Sequence, residues 1–81
     1  MVTNVKYIIE FDSYDSKTEV CYISSLYAFY KGEFFTTKRT WSVGFKTYEE
    51  AIDIAASIVE SEDDIYGYRI YKLIEVIERM D

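Results

Sequence analysis

Catalysis by side chains draws on a short roster of groups, and this chain carries few of them. It has no histidine and a single cysteine, Cys21, among 81 residues. A protein nucleophile needs an adjacent base or a lowered pKa. Cys21 lies within a run rich in β-branched and aromatic residues, where a thiol is expected to be buried and inert. Carboxylate pairs exist: Glu49 and Asp53 stand four residues apart, on one face of a helix. Glycoside chemistry sets its two acids across a cleft, however, and a chain this short has little room for one, so a solvated helix face accounts for the pair. The three glycines, Gly32, Gly44 and Gly67, are isolated, so no glycine-rich loop is available for phosphate. One cysteine without histidine also falls short of the usual zinc ligand set. These residues predict a protein that is not an enzyme, needs no cofactor or metal, and works by binding.

Charge is more informative. The net charge is −6, and it is unevenly spread. Residues 17 to 48 carry five basic and two acidic side chains, whereas residues 49 to 64 carry seven acids and no base. Glu49 and Glu50 fall in the first turn of a helix, where free amides and the macrodipole favour negative charge. Glu60, Glu62, Asp63 and Asp64 fall in or beyond its last turn, where that field disfavours carboxylates. No Lys or Arg stands four residues away to offset them. On a helical wheel Glu49, Asp53 and Glu60 align, so an acidic ridge is expected to run from the helix into the loop. One reading is solubility. The sharper reading is a carboxylate array aimed at a basic partner, with Tyr66 and Tyr68 adding contact area.

The elements that must position these groups follow from periodicity. Residues 5 to 11 alternate, with Val5, Tyr7, Ile9 and Phe11 on one face and Lys6 and Glu10 on the other, the period of a half-buried strand. Asp12 to Lys17 is turn chemistry. Residues 19 to 30 favour a second strand, Lys31-Gly32-Glu33 a hairpin tip, and residues 34 to 43 a third strand with Phe35, Thr37, Arg39, Trp41 and Val43 on one side. Thr47-Tyr48-Glu49-Glu50 reads as a capping box. It opens a helix over 48–61 whose apolar stripe is Ala51, Ile52, Ile54, Ala55, Ile58 and Val59. Residues 66 to 78 fit a strand, although Lys72 interrupts the alternation and a helix is the competing reading. The expectation is a single α+β domain over 1–81, with an antiparallel sheet of three to four strands packed by one helix in the order β-β-β-α-β. If the sheet face opposite the helix exposes several of the aromatics, it becomes a docking or homodimerisation surface. With one unpaired cysteine, no export signal and no membrane span, the expected location is the cytoplasm.

The stretch Trp41-Ser42-Val43-Gly44-Phe45-Lys46-Thr47-Tyr48-Glu49-Glu50-Ala51 resembles the strand-to-helix joint of AP2 and integrase arm-type DNA-binding domains. That resemblance implies a sheet reading nucleic acid, here through Lys31, Lys38, Arg39 and Trp41. The chain as a whole, small, acidic, cysteine-poor and rich in tyrosine, resembles in type the phage-encoded anti-CRISPR and anti-restriction proteins. That likeness implies an inhibitor of a basic host defence protein that acts on nucleic acid. Its contact residues would be Glu49, Asp53, Glu60, Glu62, Asp63, Asp64, Tyr66 and Tyr68. Direct nucleic-acid binding is the alternative, and a dimeric accessory protein the third reading.

Overall fold

The computed structural model describes residues 2–15, 20–24 and 34–81. Its elements are β1 (Val2–Ser13), β2 (Val20–Ile23), β3 (Phe35–Thr36), α1 (Tyr48–Ser61) and β4 (Ile65–Ile77). They form a four-stranded antiparallel sheet, in the order β3-β2-β1-β4, with one helix. This is the α+β fold that the periodicity implies, and the segment after residue 65 is a strand.

The alternation in β1 decides which face the helix covers. Ile9 and Phe11 point to it, joined by Cys21 and Ile23 from β2, Ile65 from β4 and Ala51 and Ala55 from α1. Ala51 and Ala55 are fully buried, and residues four apart lie on one helix face. Such small residues let the helix backbone approach the sheet closely. Ile58 and Val59 add partial cover, but Ile54, expected in the apolar stripe, is exposed. The narrow alanine seam leaves it no sheet to reach. At the helix start the Thr47 hydroxyl accepts from the Glu50 N–H at 3.1 Å, satisfying one of the free amides.

One expectation is corrected. The third strand does not run from 34 to 43: after Thr36 the chain folds into a 3-10 turn at Arg39–Trp41. The cause is local hydrogen bonding, which competes with a ladder. The Lys38 N–H donates to Thr36 Oγ1 at 3.2 Å, while the Trp41 and Ser42 amides donate to the Lys38 and Arg39 carbonyls at 3.0 Å each. Arg39 and Phe35 therefore do not share a side. Phe35 packs on the core, and Arg39 crosses to the other sheet face. Where it is described, the face opposite the helix carries Tyr22 and Tyr71, and Tyr71 is exposed. Tyr22 is buried and Phe34 packs on the helix-side core. The expected hairpin tip and Tyr27, Phe29 and Tyr30 lie outside the described residues.

β1 and β4 pair over twelve positions, from Val2↔Ile77 to Ser13↔Ile65, with a bulge at Asp12/Ser13. Lys72 breaks the apolar alternation without breaking the strand: it lies opposite Tyr7 on the helix-side face of the outer strand, where it is exposed. Beyond Tyr7 the two strands continue as a projecting ribbon, which makes the molecule long, 49 × 25 × 22 Å.

Candidate functional site

The acidic residues singled out by the sequence, Glu49, Asp53, Glu60, Glu62, Asp63 and Asp64, are all exposed. Glu49 to Glu60 spans about 16 Å along the helix axis at 1.5 Å per residue. The helix ends at Ser61 and is capped by Glu62, whose N–H donates to the Ile58 carbonyl at 2.9 Å. A short turn closes with the Ile65 N–H on the Glu62 carbonyl at 3.2 Å, and the Tyr14 N–H donates to the Asp64 carbonyl at 2.8 Å. The acidic turn is thus tied to the far end of β1. No basic residue occupies the last helical turn. Among the described residues no ion pair or side-chain hydrogen bond engages any of the six carboxylates.

The two tyrosines separate. Tyr66 stands beside the acidic turn with its ring against that of Tyr14, centroids 4.2 Å apart and planes tilted by 34°. Tyr68 lies opposite Phe11 on the helix side of β4. Tyr14 and Asp15 complete the patch and were not singled out by the sequence, because only the β1–β4 register brings them to the helix end. Asp15, Glu62 and Asp64 share a hollow of about 210 Å³ with Ser13, Cys21 and Phe35. Burial, with the nearby charge of Asp15, pushes the Cys21 thiol up to about 11, so it is protonated and a poor nucleophile at neutral pH. Among the described residues no group of three or more His, Cys, Asp or Glu is placed to hold a metal ion. Among the same residues no helix is long and apolar enough to cross a membrane.

The basic residues are differently employed. Glu10 is only 7% exposed and sits at the middle of the face opposite the helix. It accepts from Tyr22 Oη at 2.5 Å, from Arg69 Nη2 and Nε at 2.8 and 3.1 Å, and from Arg39 Nη2 at 3.3 Å. Arg69 also reaches both oxygens of Asp12, at 2.7 and 2.9 Å. The Tyr22 hydroxyl foremost, then Arg69 and Arg39, outweigh burial and hold the Glu10 carboxyl at about 2. Register explains the cluster: Arg69 is directly opposite Glu10 on the same face. Gly67, opposite Asp12, leaves room for it, since a Cβ there would stand 2.9 Å from Asp12 Oδ2.

Of the residues that a nucleic-acid-reading sheet would use, Arg39 is thus turned onto Glu10, and its guanidinium lies 5.2 Å from the Tyr71 ring centroid. Lys38 Nζ lies 4.2 Å over the Trp41 ring. Lys31 is outside the described residues. A groove of about 470 Å³ runs between the Arg39–Thr40 turn and the ribbon at Lys6 and Leu73–Glu75. Compared with protein-family models, curated proteins and solved structures, the chain matches none.

Proposed function

We propose that this chain is a non-enzymatic binding protein that presents the carboxylates of α1 and its following turn to a basic protein surface, in place of nucleic acid. In this reading it serves a phage or other mobile element by blocking a host defence protein that acts on nucleic acid. One observation carries the reading. Glu10 and Asp12 are matched by arginines inside the fold, whereas among the described residues Glu49, Asp53, Glu60, Glu62, Asp63 and Asp64 have no such match. Negative charge left unpaired on one side of a small domain generates a field that steers a basic partner. The commitment of Arg39 to Glu10 supports this reading over direct binding of nucleic acid by the sheet.

The test has two stages. A basic nucleic-acid-binding protein captured on the immobilised chain is assayed for displacement of its DNA or RNA by the free chain. Triple reversal at Glu62, Asp63 and Asp64 to lysine is expected to weaken displacement by about tenfold or more, from several rim charges at ~0.2–1 kcal/mol each. Added salt is expected to weaken it in parallel. Binding that ignores both the reversal and the salt, or a chain that itself retards nucleic acid in a gel, would refute the proposal.

A further inference from the structure

The sheet ends on an uncovered edge. β4 is an outer strand of 13 residues, about twice the usual length, and among the described residues it has no neighbour on its far side. The backbone groups facing outward can be identified from Tyr7. That residue exchanges two backbone hydrogen bonds with Phe45, both of 2.8 Å, so its N–H and C=O point away from β4. Its cross-strand neighbour Lys72 therefore occupies a non-hydrogen-bonded position, with its own N–H and C=O turned to the open edge. By alternation Ile70, Ile74 and Val76 do the same. Those four residues offer about eight polar groups to a further strand. Ile74 and Val76 are also 62% and 54% exposed. Such edges are normally guarded by proline, bulges, shortness or charged side chains, and Lys72 is the one charge among the four residues that open to this edge. Here there is no proline, and the bulge lies at the distant Asp12/Ser13 end.

We infer that β4 pairs antiparallel with β4 of a second copy, extending the sheet across a two-fold axis near Leu73. Charge selects this occupant and this register. Residues 65 to 81 carry three bases and three acids, while residues 49 to 64 carry seven acids and no base, so copies meeting along β4 avoid the acidic helix and turn. With the axis through Leu73, Ile70 faces Val76 and Lys72 faces Ile74 on one side of the sheet. Leu73 faces itself and Tyr71 faces Glu75 on the other, and no like charges are opposed. A neighbouring register would set Lys72 against Lys72 and is disfavoured. In the Leu73 register the two Asp64 turns stand roughly 60 Å apart at ~3.4 Å per residue, well beyond the screening length.

Sedimentation equilibrium over a concentration series into the high micromolar range tests the pairing. The expected mass is twice the 9.6 kDa of one chain, with the amides of Ile70, Lys72, Ile74 and Val76 protected from hydrogen exchange in the dimer. Ile74→Lys puts like charges across the seam at two places and should weaken dimerisation by about tenfold or more. Adding Lys72→Glu should restore it, because the two positions face each other. Ile74 is exposed in the single chain, so these variants are expected to keep the fold, which circular dichroism checks. A chain monomeric throughout, a dimer indifferent to Ile74→Lys, or a double variant no tighter than the single one overturns the inference.

Discussion

Replacing Glu10 by glutamine removes one negative charge from the middle of the sheet while preserving the shape of the side chain. The carboxyl is held at about 2 against an ordinary 4.5, which corresponds to ~3 kcal/mol of folding free energy at neutral pH. The sign follows from linkage. A carboxylate whose pKa is lowered by folding contributes its full stabilisation above the unfolded value. That contribution fades as pH falls from about 4.5 and is lost as pH passes through about 2. The substituted amide would keep some hydrogen bonds, and Arg69 would keep Asp12, so a loss of about 2–3 kcal/mol at pH 7 is expected. A domain of this length has total stability on the order of 4–12 kcal/mol, so the variant should still fold. Urea denaturation of wild type and Glu10→Gln, at pH 7 and near pH 2, measures the effect. The difference between the two curves reports Glu10 together with its coupling to Asp12 through Arg69. It should be large at pH 7 and shrink towards pH 2. A difference that stays constant with pH, or one below ~0.5 kcal/mol at pH 7, would refute the claim that this carboxylate stabilises the sheet as an ion.

Two further substitutions probe the packing that positions the site. Gly67→Ala brings a Cβ to 2.9 Å from Asp12 Oδ2 and should displace that carboxylate from Arg69. Thermal unfolding should show it destabilising in wild type but neutral or stabilising in an Asp12→Ala background, where only the ordinary cost of glycine in a strand remains, ~0.5–1 kcal/mol. Ala55→Leu forces three extra carbon atoms into the closed helix–sheet seam and should cost about 1–3 kcal/mol in chemical denaturation. Ala56→Leu, on the exposed neighbour, should change little.

How much of this is legible in the sequence depends on whether the information is local. The 3.6-residue period and the Thr47 cap place α1, and the alternation of Tyr7, Ile9 and Phe11 places the covered face of β1. These are properties of consecutive residues. β4 is harder, because Lys72 fits a helical wheel as well as an exposed strand position, and pairing with β1 decides the matter. The turn at Arg39–Trp41 reads as strand, since its bonds from Thr36, Lys38 and Arg39 compete with a ladder of similar strength. The patch at the helix end is half visible. Its acids are contiguous in sequence, whereas Tyr14 and Asp15 join them only through the pairing of β1 with β4, two segments far apart in the chain. Glu10 falls on the correct face but is expected in solvent. Its burial depends on Tyr22, Arg39 and Arg69, brought in from three separate segments.

That hidden cluster bears directly on the acidic ridge. Arg69 is divided between Glu10 and Asp12, and Arg39 is bonded to Glu10, so the sheet neutralises charges within itself. The surplus that remains lies largely on α1 and its turn. Glu49 and Glu50 are favoured there by the helix N-terminus, but Glu60 and Glu62 face the unfavourable end of the same dipole without a basic residue in the last turn. At ~0.3–1 kcal/mol for each such residue, the arrangement opposes folding by an amount that is appreciable for a domain this small. A basic surface laid along the helix end would reverse the sign of that interaction, so the destabilisation of the free chain and the affinity in the complex have one origin. Moving the negative charge of the turn into lysine should therefore raise the stability of the free chain while lowering its affinity, a pairing of effects that a merely solubilising role for these residues does not produce.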